Sequence, residues 1–348
     1  MQTFLRWLSR IVMVLAIIGL IFIVFVYYFV FGIHLKRETA LGSDGKMRNA
    51  TWLAHEWVGE PHDRAEIHGL LVPLTEHRIT DVFLHAGPIE SDGSVPSERY
   101  VYAKEFLKIA HELAPEIKLH AWLGQKRENL PLENPVVRGR IVAEARKLIE
   151  ETGFDGIHLN IEPMQSDPYV LKLITEMRDG LGGGGAATLR YAVSATISPV
   201  VPKYYKSFLQ KFFKATHFLG YDLSRNYNDM DFIKELAEEL DLVVLMAYDT
   251  GFRDASLYQW FIEQEMIYLS KAAPAKVMIG LPTYEDEKPN FDPRVENLAE
   301  ALAGISLGLQ NIRVNKENLA GLAIYAAWTT DEEEWKTWDD LWLSKRLN

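Results

Sequence analysis

From Ile11 to Ile33 the chain reads IVMVLAIIGLIFIVFVYYFVFGI, apolar on every face and without a charged residue. About 20 apolar residues carry a helix across ~30 Å of hydrocarbon, so this run predicts a transmembrane helix. A cleaved signal sequence would have a shorter apolar core, of about 7–15 residues, and a small-residue exit. Here Tyr27, Tyr28 and Phe31 occupy the exit and Lys36-Arg37 follow, the pattern of an interfacially held, uncleaved signal anchor. Residues 1–10 precede it as a short basic segment, and residues 34–50 read as a polar linker.

After the linker, short apolar runs alternate with longer amphipathic ones. Strands are predicted in TWLAHEW (51–57), ITDVFLHAG (79–87), IKLHAWLG (117–124) and GFDGIHLNIEP (153–163). Four more follow in LRYAVSATIS (189–198), LDLVVLMAYDT (240–250), KVMIGLPTY (276–284) and LAGLAIYAAW (319–328). Helical periodicity fills the gaps, as in 97–115, 138–152 and 229–240. This alternation means βαβ units and a parallel sheet. Eight such units predict an α/β fold, a (β/α)8 TIM barrel over residues 51–348. No glycine fingerprint follows the first strand, which speaks against a dinucleotide site. Gly182 to Gly185 predict a flexible turn ahead of the fifth strand.

Composition narrows the function. An apolar fraction of 48% excludes a largely disordered chain. The absence of cysteine removes disulfides, zinc–thiolate sites, iron–sulfur clusters and cysteine nucleophiles together. Net charge is −11, but residues 1–37 hold Arg6, Arg10, Lys36 and Arg37 and no acid. The rest therefore balances 33 bases against 48 acids, a field that repels phosphate backbones and excludes nucleic acid as a partner. Because cations flank both ends of the apolar run, the positive-inside rule does not choose an orientation. A catalytic domain on the extracytoplasmic side follows instead from the function read below.

Barrels of this kind do their chemistry at the C-terminal rim, where strand-end polar residues collect. Here these are His55, Glu56, His85, Trp122, Gln125, Asn160, Glu162, Tyr248, Asp249, Tyr284 and Trp328. The fourth strand is the most informative. Alternation points Ile157, Leu159 and Ile161 at the helices and Gly156, His158, Asn160 and Glu162 into the barrel. Polar groups stacked inside need partners, and the column leads to an acid at the rim. In a partly apolar cleft such an acid can stay protonated near neutrality and act as a general acid.

This strand resembles the active-site strand of family 18 glycoside hydrolases, the chitinase-like barrels, with pattern D-x-x-D-x-D-x-E. Asp155 matches the first Asp and Glu162 the acid, while His158 and Asn160 stand where the family has its second and third Asp. Met246-Ala247-Tyr248-Asp249 is similar to the family's M-x-Y-D on strand six, and Trp328 to the tryptophan that ends strand eight. The resemblance implies a hydrolase of N-acetylglucosamine-containing glycans that works by substrate assistance. It implies Glu162 as general acid/base, with Asn160 and Tyr248 orienting the acetamido group. It also implies Asp249, Met246 and Trp328 as sugar contacts, to which His85 and Trp122 at the neighbouring strand ends are added as cleft-lining candidates.

Two alternatives belong beside it: a non-catalytic lectin-like barrel, and a glycosidase using two protein carboxylates, Glu162 with Glu56 or Asp249. No cofactor is expected. His55, Glu56, His62 and Asp63 match no zinc-ligand spacing, so no metal is expected either. Trp335, Trp338 and Trp342 have the spacing of a helix packed on the barrel, and His158 that of a core histidine.

Overall fold

Each predicted apolar run forms a strand, and each strand pairs in parallel with the next until the eighth meets the first. In the computed structural model β1 (Ala50–Leu53), β2 (Asp81–Pro88), β3 (Lys118–Lys126) and β4 (Gly156–Glu162) make one half of a closed barrel. The other half is β5 (Ala192–Ile197), β6 (Leu242–Met246), β7 (Lys276–Pro282) and β8 (Leu319–Tyr325). The structure describes residues 47–344 apart from 165, 183–190, 201–227 and 287, with Met13, Ile17, Gly19 and Leu20 from the N-terminal segment. Those four residues apart, the apolar run 11–33 lies outside the described residues, as do Gly183 to Gly185 of the predicted turn. Among the described residues no helix is long and apolar enough to cross a membrane.

Helices follow the strands: α1 (Arg64–Glu76), α2 (Ala103–Leu113), α3 (Pro135–Thr152), α4 (Pro168–Leu181), α5 (Met230–Glu239), α6 (Ala255–Leu269), α7 (Leu298–Gln310) and α8 (Glu332–Trp338). Their starts are written locally. Asp63 and Glu66 form a capping box on α1, and Asn134 and Asp167 cap α3 and α4 ahead of a proline in the first turn. The amphipathic stretch 97–115 is not one helix. A 3₁₀ turn at Ser97–Arg99 comes first, and α2 starts only at Ala103.

Alternation sorts the strand residues into two layers. Ile157, Leu159 and Ile161 join the buried layer under the helices, as do Leu119, Ala121 and Leu123 of β3. A separate inner cluster of Trp52, Phe83, Val244, Met278 and Ala323 fills the barrel as a floor. His158 lies in that floor, wholly buried, its ring stacked on Phe83 at 3.7 Å and edge-on to Trp52 at 5.8 Å. Its Nδ1 is 2.9 Å from Ser194 Oγ, and burial holds the imidazole well below its usual range, hence neutral. The histidine is a core residue, as its position predicts. Asp155 closes the bottom of β4, accepting from Leu119 N–H at 2.9 Å with His111 at 3.0 Å.

Trp338 and Trp342 are buried, and their indole N–H groups donate to His77 O and Asn49 Oδ1. The tryptophan spacing near the C-terminus is therefore packing. The barrel begins earlier than the 34–50 linker boundary, because Ala50 is already in β1 and Arg48 N–H donates to Ala320 O at 2.9 Å.

Candidate active site

The inward column of β4 rises from the apolar floor to solvent within two residues. Asn160 is 8% exposed, whereas Glu162, at the last position of the strand, faces the open rim. Asn160 Nδ2 donates to Glu162 Oε1 at 2.7 Å, and the hydroxyl of Thr196 on β5 donates to Asn160 Oδ1. Among the described residues, two bases that could have held Glu162 as a structural carboxylate, Arg253 and His158, are engaged elsewhere. Arg253 donates to Pro289 O and pairs with Asp292 at 3.3 Å, and His158 bonds Ser194.

Across the mouth, the exit of β6 supplies the phenol and the second acid. Leu242 and Val244 point inward, so Met246 and Tyr248 continue the same face. Beside this exit β7 carries Gly280, where the Leu245 carbonyl leaves no space for a side chain. A Cβ there would lie 2.7 Å from Leu245 O and 3.5 Å from the Tyr248 ring. Burial raises the Tyr248 phenol well above its usual range, and the nearby Tyr325, Glu162 and Asp249 act in the same direction. Tyr248 is therefore a protonated O–H donor at any working pH, its ring stacked on Tyr325 at 5.2 Å. Asp249 turns outward on a left-handed backbone (φ 55°) and accepts from Tyr284 O–H at 2.7 Å.

The aromatic wall differs from the sequence expectation. β8 ends at Tyr325, whose ring stacks on Tyr248 at 5.2 Å and lies edge-on to Trp52 at 5.4 Å. Trp328 follows three residues later, outside the strand and 47% exposed, touching Tyr325 edge-on at 5.8 Å. Tyr325 is the residue that sequence reasoning missed. The signal was there, since Ala323 points inward and Ile324 outward, which aims position 325 into the barrel.

His85 and Trp122 sit on the opposite wall, half-buried and in ring contact at 4.6 Å. His85 is lowered to about 4 by burial first, with His55 and Arg99 acting in the same direction, so it is neutral at physiological pH. Glu56 opens a four-residue helical turn and faces solvent. His62 packs against Trp57 in a tilted ring contact at 4.3 Å and Asp63 caps α1, so these polar residues of the first loop serve local structure.

Residues 57–346 match the sequence model of glycosyl hydrolases family 18. The chain belongs to that family. No curated protein matches it. Among solved structures, the C-terminal domain of a putative chitinase from Desulfitobacterium hafniense is 16% identical with a TM-score of 0.59, over 87% of this chain and 100% of that one. A family 18 chitinase from Cycas revoluta in complex with (GlcNAc)4 is 14% identical with a TM-score of 0.56, over 85% and 99%. The Bacillus cereus spore cortex-lytic enzyme SleL is 12% identical with a TM-score of 0.55, over 85% and 74%. These likenesses show a shared barrel. Family 18 membership makes the chain a glycoside hydrolase, and Glu162 is the last residue of its fourth strand.

Proposed function

We propose that the chain cleaves a glycan containing N-acetylglucosamine, with Glu162 as general acid/base and the substrate's own 2-acetamido oxygen as nucleophile. The observation that carries this reading is one rim carboxylate held by an amide, with a protonated phenol in the same neighbourhood. Asp249 is engaged by Tyr284, which argues against it as a protein nucleophile. The binding of (GlcNAc)4 by the Cycas revoluta chitinase supports the sugar class.

In the first step protonated Glu162 gives its proton to the glycosidic oxygen while the acetamido oxygen attacks the anomeric carbon. The C–O bond to the leaving sugar breaks and an oxazolinium ion forms. The Glu162 carboxylate then takes a proton from water as its oxygen bonds to the anomeric carbon, which reopens the ring and restores the acid. Tyr248 O–H donates to the acetamide oxygen and orients it toward the anomeric carbon. The Asn160 carbonyl, which has a second lone pair, receives the acetamide N–H.

A panel of N-acetylated and de-N-acetylated oligosaccharides tests the reading. Hydrolysis confined to the N-acetylated members, nearly abolished in Glu162→Gln with binding retained, is the expected result. Equal turnover of both kinds would point to a protein nucleophile, and binding without turnover in the wild type would make the barrel a lectin.

Residues 11–33 are proposed as a single-pass anchor that holds the barrel on the extracytoplasmic side, a reading supported by their uninterrupted apolarity. The full chain is expected in a carbonate-resistant membrane fraction, with the barrel open to protease added outside intact cells. Recovery of the full chain in the soluble fraction, or protection of the barrel, would overturn it.

A further inference from the structure

Three side chains from β4 and β5 stand end to end under the rim. Thr196 is 1% exposed, Asn160 is nearly as buried, and Glu162 reaches the solvent. The Thr196 hydroxyl donates to Asn160 Oδ1, and Asn160 Nδ2 donates to Glu162 Oε1 at 2.7 Å. The same hydroxyl oxygen lies 3.4 Å from the Leu159 carbonyl oxygen, a second acceptor for its one proton. A hydroxyl can donate or accept, and a carboxamide has one end of each kind.

Those facts allow two fully paired arrangements. When Glu162 is ionised it needs a donor, and the observed orientation supplies Nδ2–H. When Glu162 is protonated its own O–H needs an acceptor. A half-turn of the amide then faces Oδ1 to Glu162 and Nδ2 to Thr196 Oγ, while the threonine proton turns to Leu159 O. A buried amide with a fixed neighbour at its far end would be left unpaired in one of the two states, at a cost in each catalytic cycle.

We propose that Thr196 is a positioning residue whose hydroxyl, by switching between donor and acceptor, lets the Asn160 amide present whichever end Glu162 requires. The inference rests on the reading of Glu162 as acid/base. No covalent bond changes and no proton passes along the row; the acid proton stays on Glu162 until the glycosidic oxygen takes it. Among the described residues, the other titratable groups facing Glu162 are Lys126, its register partner on β3, and the phenols of Tyr248 and Tyr325, with Asp249 beyond them. None of these touches Thr196, so a substitution there reads out the amide alone.

The test compares Thr196→Val and Thr196→Ser in the full chain. Valine keeps the branched shape without donor or acceptor, and serine restores the hydroxyl. Thr196→Val is expected to lower kcat about tenfold with KM within about twofold, because the lost bond supports a proton-transfer group rather than sugar binding. The closer of the two threonine bonds is the one that holds the ionised arrangement. Its loss should therefore move the alkaline limb of the kcat/KM profile to higher pH by about half to one unit. Thr196→Ser should return both to wild type. A kcat within about twofold and an unmoved limb in Thr196→Val, or failure of serine to restore them, overturns the proposal.

A second readout separates this from the enzymatic reading. In the full chain labelled with ¹³C at glutamate carboxyls, the Glu162 signal is identified by its absence in Glu162→Gln. Its titration should move in Thr196→Val and not in Thr196→Ser, whether or not any oligosaccharide is turned over. Displacement without turnover would sink the enzymatic reading and leave the amide switch standing; a carboxyl signal that titrates alike in all three proteins sinks the switch.

Discussion

Tyr284, two residues past the end of β7, donates its phenolic hydrogen to Asp249, three residues past the end of β6, across 2.7 Å. The bond ties two neighbouring strand exits together at the mouth of the barrel. Tyr284 is raised far above the usual phenol range, by burial first and then by Asp249, so the donor keeps its proton at all working pH values. From below, Glu296 accepts the Thr250 and Gly251 N–H groups at 3.0 and 3.1 Å and fixes the loop that carries the acid.

Tyr284→Phe removes the upper tie and leaves the lower one. A hydrogen bond to an exposed carboxylate is worth about 1 kcal/mol, so kcat/KM is expected to fall roughly three- to tenfold with thermal stability nearly unchanged. Asp249→Asn should cost less than Asp249→Ala, since asparagine keeps an acceptor and tolerates the left-handed backbone at this position. Steady-state kinetics of the three variants beside their thermal midpoints decide the point. Equal losses in the two Asp249 variants would show that the tie is irrelevant.

Two aromatic residues compete for the role of sugar platform, and their positions give different expectations. Tyr325 is packed between Tyr248 and Trp52, whereas Trp328 is 47% exposed and, among the described residues, its one ring contact is with the edge of Tyr325. An ordered ring loses little freedom on binding, and stacking on one is worth about 0.5–1.5 kcal/mol. Tyr325→Ala is therefore expected to weaken oligosaccharide binding about tenfold and Trp328→Ala no more than about threefold. Titration of short oligosaccharides against the inactive Glu162→Gln background measures both. A larger loss in Trp328→Ala would restore the assignment made from sequence.

The barrel was legible because each strand is an apolar run of the right length and each gap has a helical period. The inward column of β4 was legible for the same reason, since alternation needs only local order. The exit of β8 was harder. Trp328 attracts attention by its chemistry, but the strand stops at Tyr325, and where a strand stops depends on its neighbours. Thr196 was invisible as a functional candidate because its partners, Asn160 and Leu159, lie 36 and 37 residues away on another strand. Arg48 looked like part of a polar linker for the same reason: its partner Asp81 is 33 residues on.

Two groups near the mouth, the half-buried His85 and the buried Glu296, have opposite effects on stability against pH. Burial, with His55 and Arg99, pulls His85 down to about 4 from the ordinary 6.5. The unfolded chain then binds the extra proton more readily, so the His85 contribution is complete above pH 6.5 and is lost as pH falls toward 4. Burial pushes Glu296 up to about 7 from the ordinary 4.5, with Asp249 adding and the Thr250 and Gly251 bonds opposing. Its contribution is complete below pH 4.5 and is lost as pH rises through 7. Thermal midpoints measured between those limits should gain a more negative slope against pH in His85→Gln and a more positive one in Glu296→Gln. Unchanged slopes in both would mean that neither group titrates differently in the folded protein.

The start of the barrel gives the last prediction. Asp81 is 1% exposed and receives Arg48 Nε–H at 3.0 Å and Thr80 O–H at 2.8 Å, with His120 Nε2 also at 3.0 Å. Arg48 in turn holds its backbone N–H on Ala320, and Asn49 bonds both Arg78 O and the Trp342 indole. Removing one partner of a buried ion pair costs about 3–5 kcal/mol, and the partial exposure of Arg48 places this pair at the low end. A chain beginning at Met47 should melt like the full-length barrel, whereas one beginning at Thr51 should melt roughly 5–10 °C lower. Arg48→Ala in the full chain isolates the ion pair from the lost length and should reproduce most of that drop. If the chain beginning at Thr51 matches the one beginning at Met47, residues 47–50 are linker after all, and the Asp81 carboxylate is held adequately by His120 and Thr80.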